Sequence, residues 1–111
     1  MAYDEELALR IRELLIDERS LIEKRMFGGL AFMVDGHLAV AASGRGGLMV
    51  RVDPDRAGTY LRGAGVEPME MRGRAMAGWL RVDTEAVRTK AQLRKWVERG
   101  VTFVRTLPPK R

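Results

Sequence analysis

The chain has 111 residues, 46% hydrophobic and 32% charged, with no cysteine and a formal net charge of +5. These figures fit one globular domain and exclude disulfides, thiolate catalysis, cysteine-based zinc sites and a disordered tail. No apolar run approaches the roughly 20 residues of a membrane span, and the acidic opening MAYDEELALR lacks the features of a secretory signal, so no membrane association and a cytoplasmic location are expected.

Residues 4–18 have helical periodicity, with Leu7, Ile11, Leu14 and Leu15 on one stripe. Asp4 suits the N-cap, and Glu5 and Glu6 suit the positive end of the helix dipole. From Leu21 to Val52 the period changes to two. A short strand is predicted at 22–26. Leu30, Phe32 and Val34 then alternate with Ala31 and Met33. Asp35 and Gly36 form a type I′ hairpin signal, because both central positions need positive φ. Leu38, Val40 and Ala42 are assigned to one face of the return strand. A flexible turn over 43–47 leads to Leu48, Val50 and Val52, with Met49 and Arg51 opposite.

Asp53 and Pro54 open a short helix through Ala57, Tyr60 and Leu61, stopped by Gly63 and Gly65. Pro68 breaks any extension. Met69 and Met71 begin a further strand, Arg72 to Gly78 reads as irregular, and Trp79–Val82 reads as a strand. The last helix is predicted from Lys90 to about Thr106, with Thr89 and Gln92 at capping-box spacing. Its stripe is Leu93, Val97, Val101 and Val104, widened by Trp96 and Phe103. Gly100, costly in a helix interior by about 1 kcal/mol, suggests close approach to the sheet or a bend. Neighbouring strands flanked by helices point to the α+β class: a mainly antiparallel hairpin meander with N- and C-terminal helices packed on it.

Reactive chemistry finds little support. His37 is the single histidine, with no second imidazole or HExxH motif to build a metal site. Ser20 and Ser43, the only serines, lie in no nucleophile-elbow pattern. Gly28 and Gly29 match no phosphate-binding loop, since a strand and not a helix follows them. A GRGG turn at 44–47 is read as a plain hairpin loop instead of an anion nest. The expectation is a non-enzymatic chain with no catalytic residue, metal or cofactor.

Two surfaces are candidates for binding. Lys24, Arg25, Arg72 and Arg74 are the candidate polyanion contacts, although the basic charge is dispersed and no block of consecutive cations occurs. Met33 and Met49 point away from the main alternating set. They pack in a core or form a partner surface, because an apolar second face needs a cover of helix or of another subunit. A homo-oligomer, with a dimer favoured, follows from that argument. The final helix carries Lys90, Arg94, Lys95, Arg99 and Arg105, but its aromatics belong to the buried stripe and Glu98 interrupts the basic side.

The ordered set KRMFGGLAFMVDGHLAV, LMVRVDP, RGRAMAGWLRVD and LRKWVERGVTFVRTLPPKR, after the opening AYDEELALRIRELL, resembles the N-terminal domain of the TfoX/Sxy family. The likeness covers nearly the whole chain. It implies an α+β domain with a central antiparallel sheet and no recognised catalytic residue. Two-domain members are regulators of natural competence, thought to act as coactivators with the cyclic-AMP receptor protein. The sequence ends at PPKR without the family's second, helical domain, so a stand-alone member spanning 1–111 as a single domain is expected. The expected function is a protein-interaction or regulatory accessory module with a protein partner in transcription. The alternatives are a basic nucleic-acid-binding accessory protein, or a small-ligand-binding domain or enzyme.

Overall fold

In the computed structural model, which describes residues 3–26 and 28–110, the period-two segments pair into one antiparallel sheet. The elements in chain order are α1 (Glu5–Leu14), β1 (Leu21–Met26), β2 (Gly29–Val34), β3 (His37–Ala42), β4 (Leu48–Arg51), α2 (Pro54–Tyr60), β5 (Val66–Met71), β6 (Arg74–Val82), a 3-10 turn at Thr84–Val87, and α3 (Lys90–Arg105). The sheet order is β1-β2-β3-β4-β6-β5, so β1 and β5 are its two edges. The class is α+β, with α3 lying across β3 and β4, α1 against α3 and β3, and α2 against β6.

The helix caps follow sequence chemistry. The Asp4 carboxylate accepts the Leu7 N–H at 3.1 Å, and Thr89 and Gln92 form a reciprocal capping box. Asp53 accepts from the Asp55 amide, with Pro54 in the first turn of α2. α1 ends at Leu14, four residues short of the predicted boundary, because the chain must turn into β1. Leu15 stays buried as its C-cap. α3 buries Leu93, Trp96, Val97, Gly100 and Val104. A Cβ on Gly100 would stand 2.6 Å from the Ala39 carbonyl oxygen, so of the two readings of this glycine, close approach to the sheet is the operative one.

The β2–β3 hairpin has the expected geometry: Asp35 and Gly36 have φ of +53° and +83°. Three departures from the predicted strands carry structural meaning. Phe32 pairs with Val40 but Met33 pairs with Leu38, so Ala39 is an extra residue in β3. This bulge reverses the parity of the strand. Leu38 therefore leaves the face of Val40 and Ala42 and joins Ala31, Ala41 and Met49 on the other side. Second, β5 begins at Val66 and runs through Pro68. An edge strand tolerates proline because its outer side needs no ladder donor. Third, the stretch read as irregular is a second hairpin: Arg72 and Gly73 have φ of +55° and +79°, and β6 starts at Arg74.

The main core lies between the helices and one sheet face, and Phe32 and Trp96 are buried in it. A second cluster sits on the opposite face, where Ala31, Leu38, Ala41 and Met49 are packed by Met26, Met33, Met69 and Trp79. The β5–β6 ladder shifts register between Pro68 and Glu70, and Met69 of this hairpin contributes cover to the second face.

Candidate functional site

His37 opens β3 directly after the type I′ turn. Its Nε2 donates to the Pro108 carbonyl at 2.7 Å. The Lys110 amide donates to the Asp35 carbonyl at 2.8 Å. Arg105, at the end of α3, donates to the Asp35 carboxylate at 3.0 Å, to Glu18 at 2.8 Å and to the Arg19 carbonyl at 3.0 Å. Hydrogen bonding to Glu18, helped by Asp35, raises the Arg105 pKa against the opposing effect of desolvation. The imidazole thus straps the segment after α3 onto the β2–β3 turn. Its partner is a backbone carbonyl, which takes no part in proton transfer.

The glycines of the MFGG motif have a similar answer. A side chain on Gly29 would occupy the space of the Ala42 carbonyl, and Gly28 has φ of +77°. Phe27 of the motif lies outside the described residues. In the 43–47 turn the Ser43 and Gly46 amides close the loop on Gly47 and Ser43 carbonyls, each at 3.0 Å. The Arg45 amide donates to Ser43 Oγ at 3.1 Å. These donors are engaged within the loop and do not converge on an external anion. Among the described residues no three His, Asp or Glu side chains are grouped to hold a metal ion.

The concave feature with the most chemistry is a cleft of about 550 Å³ on the second face. Ala41 and Met49 lie at its floor. Met26 of β1 contributes on one side, and Glu67 through Arg72 line it consecutively on the other. A flat six-stranded sheet would hold its edge strands roughly 24 Å apart, at about 4.8 Å per strand. One cleft lined by both edges therefore requires a strongly curled sheet. Four methionines, Met26, Met49, Met69 and Met71, meet there with Arg45, Arg72 and Arg81. Arg81 also donates to the Gly46 carbonyl at 3.4 Å.

The structure distributes the predicted surface residues unevenly. Lys24 and Arg25 are consecutive in β1, so strand alternation sends them to opposite faces. Lys24 pairs with Ala31, which pairs with Ala41 at the cleft. Arg72 lines the cleft from the hairpin tip, and Arg74 pairs with Met71 beside it. Lys24, Arg25, Arg45, Arg72, Arg74 and Arg81 take part in none of the ion pairs among the described residues. Met33 and Met49 share the second face, as alternation requires. Met49 is only 6% exposed and Met33 is half-buried. Met69 and Trp79 of the chain's own β5–β6 hairpin pack against the cluster that contains Met49, whereas Ile22, the cross-strand partner of Met33, is exposed. Met26, Met69, Met71, Arg45 and Arg81 were not singled out by sequence reasoning. The signal available for the methionines, their place on segments that prove to be the two sheet edges, has meaning only once the curl is known.

The basic side of α3 is partly engaged in its own packing. The Arg99 guanidinium lies 4.1 Å from the Tyr60 ring centroid and 4.5 Å from that of Trp96. Arg51 sits similarly near Trp79 and Phe103, at 5.2 and 5.7 Å. No helix of the described residues is long and apolar enough to cross a membrane.

Compared with known proteins, residues 13–104 match the family model described as the TfoX N-terminal domain. No curated protein and no solved structure matches the chain.

Proposed function

The chain belongs to the TfoX N-terminal domain family, and on that premise we propose that it is a non-enzymatic regulatory accessory module acting through protein contact, with transcription as its setting. The family points to a regulatory or competence-related role. The observation that carries the reading is the methionine-lined cleft bordered by guanidinium groups that form no ion pair among the described residues. Methionine side chains adapt to varied apolar partners, and uncompensated arginines favour carboxylate groups. Away from the cleft, the single imidazole, His37, is committed to the Pro108 carbonyl.

The test is genetic. The chromosomal gene is replaced by a deletion and, separately, by an Arg45→Glu/Arg72→Glu variant, and transcripts are profiled under conditions where the protein is made. The expected result is an overlapping set of altered transcripts in the two strains, with the variant protein present at normal level. An unchanged profile in the deletion strain overturns the regulatory role.

Binding of nucleic acid has one observation in its favour: Arg72 and Arg74 stand at an exposed hairpin tip. Such a contact would weaken steeply with added salt. The methionine floor beside these arginines has no counterpart on a phosphate backbone, so the protein-contact reading takes precedence.

A further inference from the structure

Resting on the protein-contact reading above, we propose that the cleft binds an extended acidic segment of a partner protein, one apolar side chain of which seats over Met49. Three features lead to this occupant. The first is the lining of the cleft by Glu67 through Arg72 without a gap in sequence. Residues of both strand parities face it, so the cleft follows the backbone of β5 and not merely one row of its side chains. β5 is an edge and pairs only with β6, which leaves outward main-chain groups able to pair with an extended chain. Pro68 supplies no donor, so pairing is restricted to the half of the strand that carries Met69, Glu70 and Met71.

The second feature is the apolar seat. Met49 and Ala41 form a floor, with Met26 and Met69 beside it. Flexible thioethers next to a small alanine accept an unbranched, branched or aromatic side chain with little loss of packing. The volume of about 550 Å³ lies within the usual range for ligand pockets, roughly 300–1,000 Å³, and takes one large side chain with its flanking backbone.

The third is charge. Arg45, Arg72 and Arg81 line the cleft, with Lys24 and Arg74 beside it, against the two carboxylates Glu67 and Glu70. None of these groups forms an ion pair among the described residues. The excess is cationic, so an acidic segment gains where a basic one is repelled. A nucleic-acid strand has no counterpart for the methionine floor. A second copy would bring the same cationic excess against itself.

The experiment uses the full chain with ε-13C-methyl methionine and a short synthetic peptide of β-favouring threonines and valines. The peptide carries a central leucine flanked by glutamates. Expected are saturable shifts of the Met26, Met49, Met69 and Met71 methyls, with Met76 unmoved, and at least tenfold weaker binding by Arg45→Glu/Arg72→Glu. The peptide with lysines in place of glutamates should bind at least tenfold more weakly, and an alanine in place of the leucine should abolish the Met49 shift. Absence of methyl shifts up to millimolar peptide overturns the proposal. So does a set of shifts reproduced by single-stranded or duplex DNA, or a concentration dependence of the methyl spectrum in the absence of peptide, which marks a second copy as the occupant. Failure here with transcripts still altered in the deletion strain leaves regulation intact and removes the cleft as its contact. Binding here with an unchanged transcript profile does the reverse.

Discussion

His37 and Gly100 are the residues whose roles reduce most directly to one contact each. The His37 imidazole donates to the Pro108 carbonyl, a neutral hydrogen bond of the kind that contributes roughly 0.5–1.5 kcal/mol. His37→Ala should lower unfolding free energy by about that amount in urea titration and speed hydrogen exchange at the Lys110 amide. Equal stability together with unchanged exchange at that amide would show that the strap forms without the ring. Gly100→Ala sets two effects against each other. Helix propensity gains about 1 kcal/mol, but the new methyl meets the Ala39 carbonyl oxygen at 2.6 Å. Overpacking against backbone typically costs about 1–3 kcal/mol, so a net destabilisation is expected, read as a lowered melting temperature. A rise would mean that α3 can lift from β3 freely. Both residues were visible in sequence as unusual: a single imidazole, and a glycine inside a helical pattern. What a one-dimensional pattern lacks is the partner. Pro108 and Ala39 are each remote along the chain, and nothing in local periodicity connects them.

Elements with their own chemical punctuation were readable in advance. Asp4, Asp53 and Thr89 each sit at a helix start, and the capping partners Leu7, Asp55 and Gln92 follow at the required spacing. The Asp35–Gly36 hairpin is similarly local. β3 and the β5–β6 hairpin were less legible for definite reasons. An inserted Ala39 changes which face Leu38 takes, yet every residue from Leu38 to Ala42 is apolar, so alternation carries no sign of the slip. In β5 the sequence reads as strand only from Met69, since Pro68 reads as a breaker and only an edge position admits it within the strand, and Arg72–Gly73 has a weaker turn signature than Asp–Gly. The central and edge strands should also differ dynamically. Amides of β3 and β4, flanked on both sides and covered by α3, should exchange more slowly than those of β1 and β5, because edge pairs open locally without global unfolding. Comparable protection in all six strands would indicate that the edges are covered. Truncating Phe32 to Ala, fully buried between sheet and helices, should cost about 3–5 kcal/mol in chemical denaturation. A near-neutral change would place the side chain outside the core.

For the molecule as a whole, acid sensitivity has one identified source. Arg12 donates to Glu23 at 2.6 and 2.8 Å, joining α1 to the β1 edge. That hydrogen bond holds the Glu23 carboxyl below its usual value despite partial desolvation. A depressed native pKa means the stabilisation is present above the unfolded value near 4.3. It is lost as pH falls through the native value, so stability should drop on the acid side of about pH 4. Both side chains are substantially exposed, so the contribution at neutral pH is small. Glu23→Gln should lie slightly below the parent in melting temperature at neutral pH, and the gap should close as pH approaches 3. A constant gap would assign the effect to packing. The candidate cleft is a whole-molecule property in the same sense. Its methionines come from β1, β4 and β5, and only the curl of the sheet brings them within reach. The position of α3 has a consequence for biogenesis. Leu93, Trp96 and Val97 close the central core and are synthesised after every strand of the sheet. Until then the nascent sheet keeps a greasy flank uncovered, so native packing waits for α3, and polypeptides broken off ahead of Lys90 are destined for inclusion bodies or proteolysis.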